Sequence, residues 1–507
     1  MTRRSAAYVY SLVAVAILIL AISATPAAAQ AFSTLHNFCT VTNCTDGYYS
    51  SSGLIQGTDG NYYGTAYYGG DFGAGSVYNI TADGDLTTFY SFCGQANCAD
   101  GYHPWPALVL GSDGRFYGTT TDGGANGNGT IFSLTGDGTL TTLYNFCSQA
   151  NCADGYYSGG ALLQGTDGNY YGLNSFGGLN GAGTIFRITP SGTYTTLHTF
   201  CSQTNCPDGI YPRGALVQGA NGNFYGVTSG DGGYTSYGTV FSITPSDTFT
   251  ILHTFCSQGG VCKDGFDPWG GLAQGNDGNL YGTTEDGGTE YCERRLNHSG
   301  PGCGTVFKIT PGGRLTTILA LPGPKAGENP TAQLILASDG KFYGATMYGG
   351  THTNVGCAPA GCGTLFSITS DGALRTVHNF RGYLDDGYIS AQLLQGTDGN
   401  FYGSTIYGGT IGYCEFGCGT VFSLSQGLSP FVKPIPPSTR VGTSVIILGN
   451  NLTGSSSVTF NGTAAIFTVV SNTEITATVP SGASTGEIQV VTPTGTLTSN
   501  VSFGVTN

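Results

Sequence analysis

The segment LLQGTDGNYYG, Leu162–Gly172, decides the fold of this chain because the sequence writes it repeatedly. It returns as LIQGTDGNYYG at Leu54–Gly64 and as LLQGTDGNFYG at Leu393–Gly403. An Asp-Gly or Asn-Gly turn with a following Tyr-Gly pair occurs seven times, at intervals of 54 to 62 residues. Self-similarity at a nearly fixed period indicates an architecture built from repeated supersecondary units. The turns begin at Asp59, Asp113, Asp167, Asn221, Asp277, Asp339 and Asp398.

One unit, Ala161–Phe200, contains four short apolar runs separated by turn residues. An Asp-Gly turn joins the first two runs and a Ser-Gly turn joins the last two; glycine accepts the positive φ that tight hairpins require. Four short antiparallel strands in a unit of about 50 residues predict one blade of a β-propeller. We expect the glycines after the tyrosines, Gly64, Gly118 and Gly172, to lie where neighbouring backbones approach too closely for a side chain.

The two ends of the repeat region are complementary. A fourth-strand sequence, STLHNF at Ser33–Phe38, precedes the first complete unit, whereas the seventh unit stops after its third strand, GTVFSLS at Gly419–Ser425. A ring closed by the N-terminal strand leaves no open sheet edge between units. An open solenoid is the alternative, but it does not explain the matching offset. We therefore predict an all-β fold, with a seven-bladed β-propeller over residues 31–425 that is closed by its N-terminal strand.

The repeat ends before Gln426, and a second domain follows it. Residues 426–438 include PFVKPIPPS, and this proline-rich composition predicts a stiff linker. Residues 439–507 alternate β-branched and polar side chains between frequent turn residues. That pattern predicts a small immunoglobulin-like β-sandwich.

The motifs of both regions resemble known families. The seven units, with their D-G-N-x-Y-G and G-T-[VIL]-F-x-[IL] runs over Ala31–Leu424, resemble the GloVer tandem-repeat family of exported bacterial proteins. Pro430–Val505 resembles an IPT/TIG domain through PIPPSTRVGTSVIILGNNL, VTFNGTAA and VPSGASTGEIQVVTPTG. The first resemblance implies export and no established activity. The second implies an immunoglobulin-like fold of the kind common in surface receptors, adhesins and secreted polysaccharide enzymes.

The N-terminal segment has the three parts of a secretory signal peptide. Arg3 and Arg4 form the charged end, Ala6–Ile22 is the apolar run, and small residues up to Ala29 form the cleavage site. We expect a signal peptide over residues 1–29, and no membrane insertion after its removal. The alternative is a retained anchor helix, because the apolar run approaches the length that spans a bilayer. Export predicts an extracellular, cell-surface or periplasmic location.

The charge of the chain restricts its partners. The formal net charge is −14, and the chain becomes more acidic when the two arginines of the signal are removed. A surface of this sign repels phosphate backbones and anionic lipid head groups, so nucleic acid is excluded as a partner. The sequence contains no H-E-x-x-H, P-loop or Rossmann motif, and we predict no cofactor.

The 16 cysteines fall into eight local pairs, each in a loop that follows the second or the fourth strand of a unit. In an exported chain this pattern predicts eight short disulfides, each stabilising the fold by about 2 kcal/mol. A metal site is disfavoured because a C-x₄-C pair lacks the C-x₂-C spacing of zinc ribbons. The predicted pairs are Cys39/Cys44, Cys93/Cys98, Cys147/Cys152, Cys201/Cys206, Cys256/Cys262, Cys292/Cys303, Cys357/Cys362 and Cys414/Cys418.

Aspartates follow many of these cysteine pairs, and histidines recur on the preceding strand. Calcium binding is one interpretation of the aspartates; we favour Asx turns that lead into the next inner strand. The histidines exchange with tyrosine at one strand position, which indicates packing rather than metal ligation. The aspartates are Asp46, Asp100, Asp154, Asp208, Asp264 and Asp386, and the strand position holds His36, Tyr90, Tyr144, His198, His253 and His378.

Two loops break the symmetry of the repeat. The sequence Tyr-Cys-Glu occurs in unit five at Tyr291–Glu293 and in unit seven at Tyr413–Glu415. The tyrosines are candidate ligand-binding residues. Glu293 and Glu415 are candidates for binding sugar hydroxyls, or for paired carboxylates in glycoside chemistry. The alternative is that loops of similar length simply share an edge motif.

Both tryptophans of the chain follow an inner-loop sequence. Trp105 comes after DGYHP in unit two, and Trp269 comes after DGFDP in unit five. They are candidate stacking platforms for sugar rings, and the alternative is that they fill gaps between neighbouring units.

These observations favour an exported, non-catalytic binding or adhesion protein. Such a protein would present a disulfide-stapled propeller face to a glycan or a surface protein. The alternative is a secreted polysaccharide-active enzyme that uses Glu293 and Glu415. A third possibility is a purely structural role in the cell envelope.

Overall fold

The computed structural model shows an all-β chain. In the part of the chain that the structure describes, given at the end of this paragraph, the helices are four 3-10 turns: Thr42–Cys44, Ala96–Cys98, Ala150–Cys152 and Pro324–Ala326. None of the helices in these ranges is long and apolar enough to cross a membrane. The predicted signal peptide, residues 1–29, lies outside the described residues. The structure describes residues 30–50, 52–230, 237–257, 262–289, 302–352, 357, 361–382, 386–390, 392–409 and 413–506, without the side chains of 389 and 390.

Short strands occupy the four runs of each repeat unit, as the hairpin chemistry predicts. In chain order they are β1 (Ala31–Asn37), β2 (Ile55–Gln56), β3 (Tyr62–Ala66), β4 (Ser76–Ile80), β5 (Leu86–Ser91), β6 (Val109–Leu110), β7 (Phe116–Thr119), β8 (Thr130–Leu134), β9 (Leu140–Asn145), β10 (Tyr156–Ser158), β11 (Leu163–Gln164), β12 (Tyr170–Phe176), β13 (Thr184–Ile188), β14 (Tyr194–Thr199), β15 (Pro212–Gln218), β16 (Phe224–Thr228), β17 (Thr239–Ile243), β18 (Phe249–Thr254), β19 (Leu272–Gln274), β20 (Leu280–Thr284), β21 (Thr305–Ile309), β22 (Leu315–Ala320), β23 (Glu328–Pro330), β24 (Ile335–Leu336), β25 (Phe342–Tyr348), β26 (Thr364–Ile368), β27 (Leu374–Asn379), β28 (Tyr388–Ser390), β29 (Leu394–Gln395), β30 (Phe401–Tyr407) and β31 (Thr420–Ser425).

These strands form separate antiparallel sheets of four or five strands, one for each unit, numbered here one to seven in chain order. The prediction of an all-β chain made of propeller-like units is thus confirmed. The sheet orders are β2-β3-β4-β5, β6-β7-β8-β9, β10-β12-β13-β14 with β11 also on β12, β15-β16-β17-β18, β19-β20-β21-β22, β23-β25-β26-β27 with β24 also on β25, and β28-β30-β31-β1 with β29 also on β30.

The first strand of the chain completes the last sheet. β1 lies antiparallel to β31, with Ala31 opposite Ser425 and Asn37 opposite Thr420. The strand that precedes the first unit therefore occupies the position that the seventh unit leaves empty.

Aromatic pairs join neighbouring sheets and explain the two adjacent aromatic residues of the repeat. The ring of Tyr117 in sheet two stacks on Tyr170 in sheet three, with centroids 4.0 Å apart. Tyr402 in sheet seven stacks in the same way on Tyr62 in sheet one, at 3.8 Å. The first and the last sheet therefore contact each other as consecutive sheets do. The other pairs of this kind are Tyr63–Phe116, Tyr171–Phe224, Tyr281–Phe342 and Tyr343–Phe401.

The glutamine of the repeat makes a second contact between sheets. The backbone N–H of Ser112 in sheet two donates to Oε1 of Gln164 in sheet three at 2.9 Å, and Nε2 of Gln164 donates back to Oγ of Ser112 at 3.1 Å. Gln56 of sheet one and Thr397 of sheet seven form the same two hydrogen bonds. The repeated LLQGTDGNYYG segment thus carries contacts between units as well as the hairpin within each unit.

The glycines after the tyrosines leave room for side chains of their own sheet. The expectation that neighbouring backbones crowd these glycines is therefore wrong. A Cβ atom at Gly172 would collide with the ring of Phe186, on the third strand of the same sheet. At Gly118, it would lie 2.6 Å from the ring of Phe132 and 2.8 Å from Leu108. The missing side chain leaves space in the second strand, and a buried aromatic ring fills it.

The C-terminal region forms a sandwich of short strands. They are β32 (Lys433–Ile435), β33 (Ser438–Arg440), β34 (Ser444–Leu448), β35 (Ser457–Phe460), β36 (Thr463–Ala464), β37 (Phe467–Val469), β38 (Glu474–Thr478), β39 (Ile488–Thr492), β40 (Gly495–Thr498) and β41 (Gly504–Thr506). Two four-stranded sheets, β32-β34-β38-β37 and β36-β35-β39-β40, are accompanied by a parallel pair of β33 and β41. Val445, Ile447, Ile475, Val490 and Phe503 contribute to the core of this sandwich. Part of the segment predicted as a linker forms β32, which pairs with β34.

The sandwich packs against the hairpin face, which is the end of the sheets that carries the Asp-Gly turns between first and second strands. Ile446 shares a hydrophobic cluster with Leu110 and Phe116 of sheet two. Oγ1 of Thr473 donates a hydrogen bond of 2.6 Å to the backbone oxygen of Thr58. The opposite end, here called the loop face, carries the loops after the second and fourth strands (for example residues 67–75 and 93–104), and these contacts leave it uncovered by the sandwich.

Candidate functional site

Disulfides hold the loops of the loop face. Seven of the eight predicted pairs are bonded in the structure, and Cys303 is also disulfide-bonded. Its predicted partner, Cys292, lies outside the described residues. Each bond closes a loop of only a few residues, so it restrains one loop rather than joining distant sheets. The seven bonds are Cys39–Cys44, Cys93–Cys98, Cys147–Cys152, Cys201–Cys206, Cys256–Cys262, Cys357–Cys362 and Cys414–Cys418.

In six of the loops that follow a fourth strand, β1 included, an aspartate anchors the loop to that strand. Nε2 of His198 lies 3.0 Å from Oδ2 of Asp208, and Oδ1 of Asp208 accepts a 3.0 Å hydrogen bond from the N–H of Cys201. On the fourth strand of unit one, Tyr90 replaces the histidine, and its hydroxyl donates to Asp100 at 2.8 Å. The predicted Asx turns are wrong at these positions, because the carboxylates bond backwards along the chain. The equivalent pairs are His36–Asp46, Tyr144–Asp154, His253–Asp264 and His378–Asp386.

After this anchor, the chain enters the next sheet, and in several units it does so through a residue with an unusual backbone conformation. His103, Tyr211 and Asp267 have φ values of 57°, 54° and 56°, in the left-handed region that non-glycine residues rarely adopt. Two residues after His103 and Asp267 come Trp105 and Trp269. The turn thus brings the tryptophans to the inner ends of their sheets.

The inner ends of all seven sheets surround one open cavity of about 560 Å³, a volume typical of small-molecule binding sites. Trp105 and Trp269 both line it. Trp105 is 37% exposed, and Trp269 is half-buried. Both rings therefore border open space. Small or polar residues form much of the remaining wall, among them Ser52, Ala107, Gly160, Ala215, Gly270, Ala332 and Gln392, and larger side chains contribute at Met347, Ile406 and Tyr407.

Charged and amide side chains accompany the tryptophans. Asp267, Glu285 and Asp286 line the cavity, as do Gln333 and Gln392. These groups offer hydrogen-bond acceptors and donors beside the aromatic rings. Glu285 and Asp286 are themselves almost buried, at 7% and 2% exposure. Their positions are therefore defined by the surrounding structure.

An arginine backs one of the tryptophans. The guanidinium carbon of Arg213 lies 3.9 Å from the centroid of the Trp269 ring, in cation–π geometry. Burial lowers the pKa of Arg213, and the neighbouring Tyr157, Asp267 and Glu285 oppose that shift. The arginine therefore remains a cation that holds the plane of the Trp269 ring in place.

A hydrogen bond joins unit six to the acidic residues of unit five. Nδ2 of Asn329 donates to Oδ1 of Asp286 at 3.2 Å and to the backbone oxygen of Glu285 at 3.1 Å. Within the part of the chain that the structure describes, no group of three or more His, Cys, Asp and Glu side chains is placed to hold a metal ion.

The sequence model of the Gloeobacter/Verrucomicrobia repeat matches residues 21–150, 94–294 and 296–445. The chain belongs to this repeat family. The IPT/TIG domain matches residues 430–505. No curated protein matches the chain.

Several solved structures are similar to this repeat-family protein at low identity. A fungal alcohol oxidase of the AA5 family, solved with copper, is 14% identical, with 91% of this chain and 94% of the other covered and a TM-score of 0.46. A luciferin-regenerating enzyme is 9% identical, with 79% and 97% covered and a TM-score of 0.40. A protein of unknown function from Bacteroides thetaiotaomicron is 13% identical, with 69% and 82% covered and a TM-score of 0.39.

The other predicted site residues that the structure describes in this repeat-family protein lie away from the cavity. Tyr413 is 73% exposed on the loop between β30 and β31, and Glu415 is exposed on the same loop and does not line the cavity. Tyr291 and Glu293 lie outside the described residues. Tyr413 still contacts the rest of the loop face, since its ring lies 5.8 Å from that of Tyr48.

Sequence reasoning missed Arg213, Asp267, Glu285 and Asp286. A signal for Glu285 is present in the sequence when the repeat units are aligned on the second strand, instead of on the cysteine loops. At its position unit five carries an acidic residue, whereas every other unit carries a neutral one. The equivalent residues are Tyr67, Thr121, Ser175, Ser229, Met347 and Ile406.

Proposed function

We propose that the seven sheets are the blades of a closed seven-bladed β-propeller over residues 31–425, joined through residues 426–438 to an IPT/TIG domain. The contacts between the last and the first sheet support this arrangement, because Tyr402–Tyr62 and Gln56–Thr397 repeat the contacts of consecutive sheets. A closed ring presents seven strand-end loops around one axis. The cavity of the loop face lies where the inner ends of all seven sheets converge.

We propose that the protein is an exported, non-catalytic binding protein whose ligand is a glycan, bound in the cavity of the loop face. One observation carries this proposal: the two tryptophans of the chain, from units two and five, line the same cavity. A sugar ring has an apolar C–H face and a rim of hydroxyl groups. The apolar face can stack on the rings of Trp105 and Trp269. The hydroxyl rim can form hydrogen bonds with Asp267, Gln333 and Gln392.

The charge of the protein favours an uncharged glycan. The formal net charge is −14, and three carboxylate side chains line the cavity. The negative charge of the cavity would repel an anionic ligand and weaken its binding. The IPT/TIG domain packs on the hairpin face and leaves the loop face uncovered. In this position the domain can act as a spacer or as a second adhesive module without blocking the cavity.

Tryptophan fluorescence tests the proposal directly, because both tryptophans of the protein line the cavity. The mature chain, beginning at Gln30, is titrated with a panel of uncharged mono- and oligosaccharides. We expect a saturable change in fluorescence with one class of sugar. Trp105→Ala or Trp269→Ala should weaken binding about tenfold or more, through loss of the stacking area.

The matched control is Phe72→Ala, which removes an aromatic ring that is 58% exposed and does not line the cavity. It should bind as the wild type does. No saturable response from any sugar, with an intact fold, would contradict the glycan assignment. Release of reducing ends from any member of the panel would contradict the non-catalytic assignment and favour the polysaccharide-active enzyme.

A further inference from the structure

A continuous row of aromatic rings leads from the cavity across the loop face. The ring of Trp105 lies 5.3 Å from that of Tyr67, and Tyr67 lies 4.7 Å from Tyr68. Tyr68 lies 5.2 Å from Tyr48, which in turn lies 5.8 Å from Tyr413. We call these five side chains, from sheets one, two and seven, the aromatic track.

The two ends of the track are open to solvent. Trp105 is 37% exposed at the cavity, and Tyr413 is 73% exposed at the outer end. The three tyrosines between them are half-buried. Each ring therefore keeps part of its surface available, while its neighbours hold its orientation.

Tyr67 is the aromatic residue of the track that departs from the repeat. The other units carry non-aromatic residues at its position, namely Thr121, Ser175, Ser229, Glu285, Met347 and Ile406. The Tyr48–Tyr68 pair, in contrast, has counterparts in Tyr156–Phe176 of unit three and Tyr388–Tyr407 of unit seven. Tyr67 joins the Tyr48–Tyr68 pair to Trp105. Partly exposed aromatic rings that are joined across neighbouring units form an apolar surface of the kind that marks an interaction site.

The track is held rigidly. The ring of His103 stacks on Tyr67, with centroids 4.4 Å apart and planes at 11°, and Nδ1 of His103 lies 3.0 Å from Oδ2 of Asp122. Tyr413 immediately precedes Cys414, whose disulfide to Cys418 restrains the outer loop. A surface ordered before binding loses little side-chain entropy when a ligand arrives.

We infer that the glycan site extends from the cavity along the aromatic track, and that its ligand is an extended, uncharged polysaccharide chain with one end in the cavity. This inference rests on the proposed glycan binding. The track is several ring contacts long, so its length exceeds that of one sugar ring. None of its five side chains carries a charge at neutral pH, and tyrosine hydroxyls add hydrogen bonds at the ring edges.

A proline-rich peptide is the other kind of chain that binds rows of aromatic rings. The cavity at the inner end of the track favours the polysaccharide. The carboxylate and amide groups that line the cavity match the several hydroxyls of a terminal sugar better than the single amine or carboxylate at a peptide end.

The test is the dependence of affinity on ligand length. The probes are the cello-, xylo-, manno- and malto-oligosaccharides, from disaccharide to hexasaccharide, titrated against the full mature protein by tryptophan fluorescence and by calorimetry. We expect the hexasaccharide of one series to bind about tenfold or more tightly than its disaccharide, because further rings stack on the track. In Tyr67→Ala and Tyr413→Ala this ratio should fall toward one. In Phe72→Ala it should keep the wild-type value.

The outcomes separate this inference from the proposed function. Binding of short sugars without any length dependence would overturn the track and leave the cavity site intact. Binding of no sugar would overturn both. Binding of a polyproline peptide that competes at Tyr67 and Tyr413, without any effect of oligosaccharides, would overturn the polysaccharide as the ligand. Melting temperatures of the variants, measured alongside, distinguish lost contacts from lost folding, and Tyr413 is exposed enough for its removal to be tolerated.

Discussion

Gln56 in the first repeat unit donates a 3.0 Å hydrogen bond from Nε2 to Oγ1 of Thr397 in the last unit. The N–H of Thr397 donates back to Oε1 of Gln56 at 3.1 Å, across 341 residues of chain. Both side chains are buried. Gln164 and Ser112 make the same exchange between consecutive sheets, so the ends of the repeat region meet through a contact that recurs inside it.

Replacing Gln56 by leucine should lower the free energy of unfolding by about 1–3 kcal/mol, because the buried N–H of Thr397 loses its acceptor. Gln164→Leu removes the internal equivalent and should cost a similar amount. Urea unfolding of the two variants and the wild type measures the difference. If Gln56→Leu left the free energy of unfolding unchanged while Gln164→Leu lowered it, that result would contradict a ring closed through this contact.

The pair His198–Asp208 should tolerate tyrosine but not alanine at position 198. Tyr144 of unit two makes the equivalent contact, since its hydroxyl donates to Asp154 at 2.7 Å and its ring stacks on Tyr194 of unit three. His198→Ala should lower the stability by about 1–2 kcal/mol, through the lost hydrogen bond and the lost stacking on Phe249. His198→Tyr should keep most of it, as judged by urea midpoints. Equal losses of stability in the two variants would show that the hydrogen bond to the aspartate is not the reason why histidine and tyrosine exchange at this strand position.

The hairpin tyrosines should make the protein sensitive to alkali. Burial and a 2.7 Å hydrogen bond to Asp113 raise the pKa of Tyr117 to about 12, from the usual 10.0. A pKa that is higher in the folded state stabilises the fold fully below the unfolded value, and the contribution is lost as the pH rises from about 10 to 12. Burial also raises the pKa of the equivalent tyrosines in other units, Tyr63, Tyr171, Tyr281, Tyr343 and Tyr402.

Urea midpoints should therefore fall steeply above about pH 10. Ultraviolet titration should show this group of tyrosines ionising only as the protein unfolds. Tyr117→Phe removes one member and should flatten the fall slightly. A midpoint that does not change up to about pH 12 would contradict the folded-state pKa shift.

Lys433 should produce the opposite dependence at lower pH. It lies on β32, opposite Leu448, and burial lowers its pKa to about 8 from 10.5. Between these values the unfolded chain binds more protons than the folded one, so stability rises with pH through this window. Lys433→Met should be more stable than the wild type at pH 7 and should lack the rise above pH 8. Parallel pH profiles for the two proteins would contradict a shifted lysine.

The sequence alone determined the parts of this protein that depend on neighbours along the chain. Asp-Gly turns between alternating apolar runs specify hairpins, because the turn and the strands it joins lie within about ten residues. The same holds for Cys147 and Cys152, which are close enough in sequence to meet in any loop that bends back. The offset between the first strand and the last unit likewise predicts the pairing of β1 with β31, which the structure shows.

Only the tertiary structure decided which residues from different units meet. Trp105 and Trp269 lie in units two and five, and nothing in either unit states that their inner ends face the same cavity. Arg213 lies over Trp269 because neighbouring sheets pack side by side, and the distance between these sheets depends on how side chains such as Tyr225 and Leu280 fill the interface. Local hydrogen bonding and turn chemistry specify each sheet, whereas the site arises from the packing of several sheets around a common centre. That packing depends on the shapes of all the side chains together.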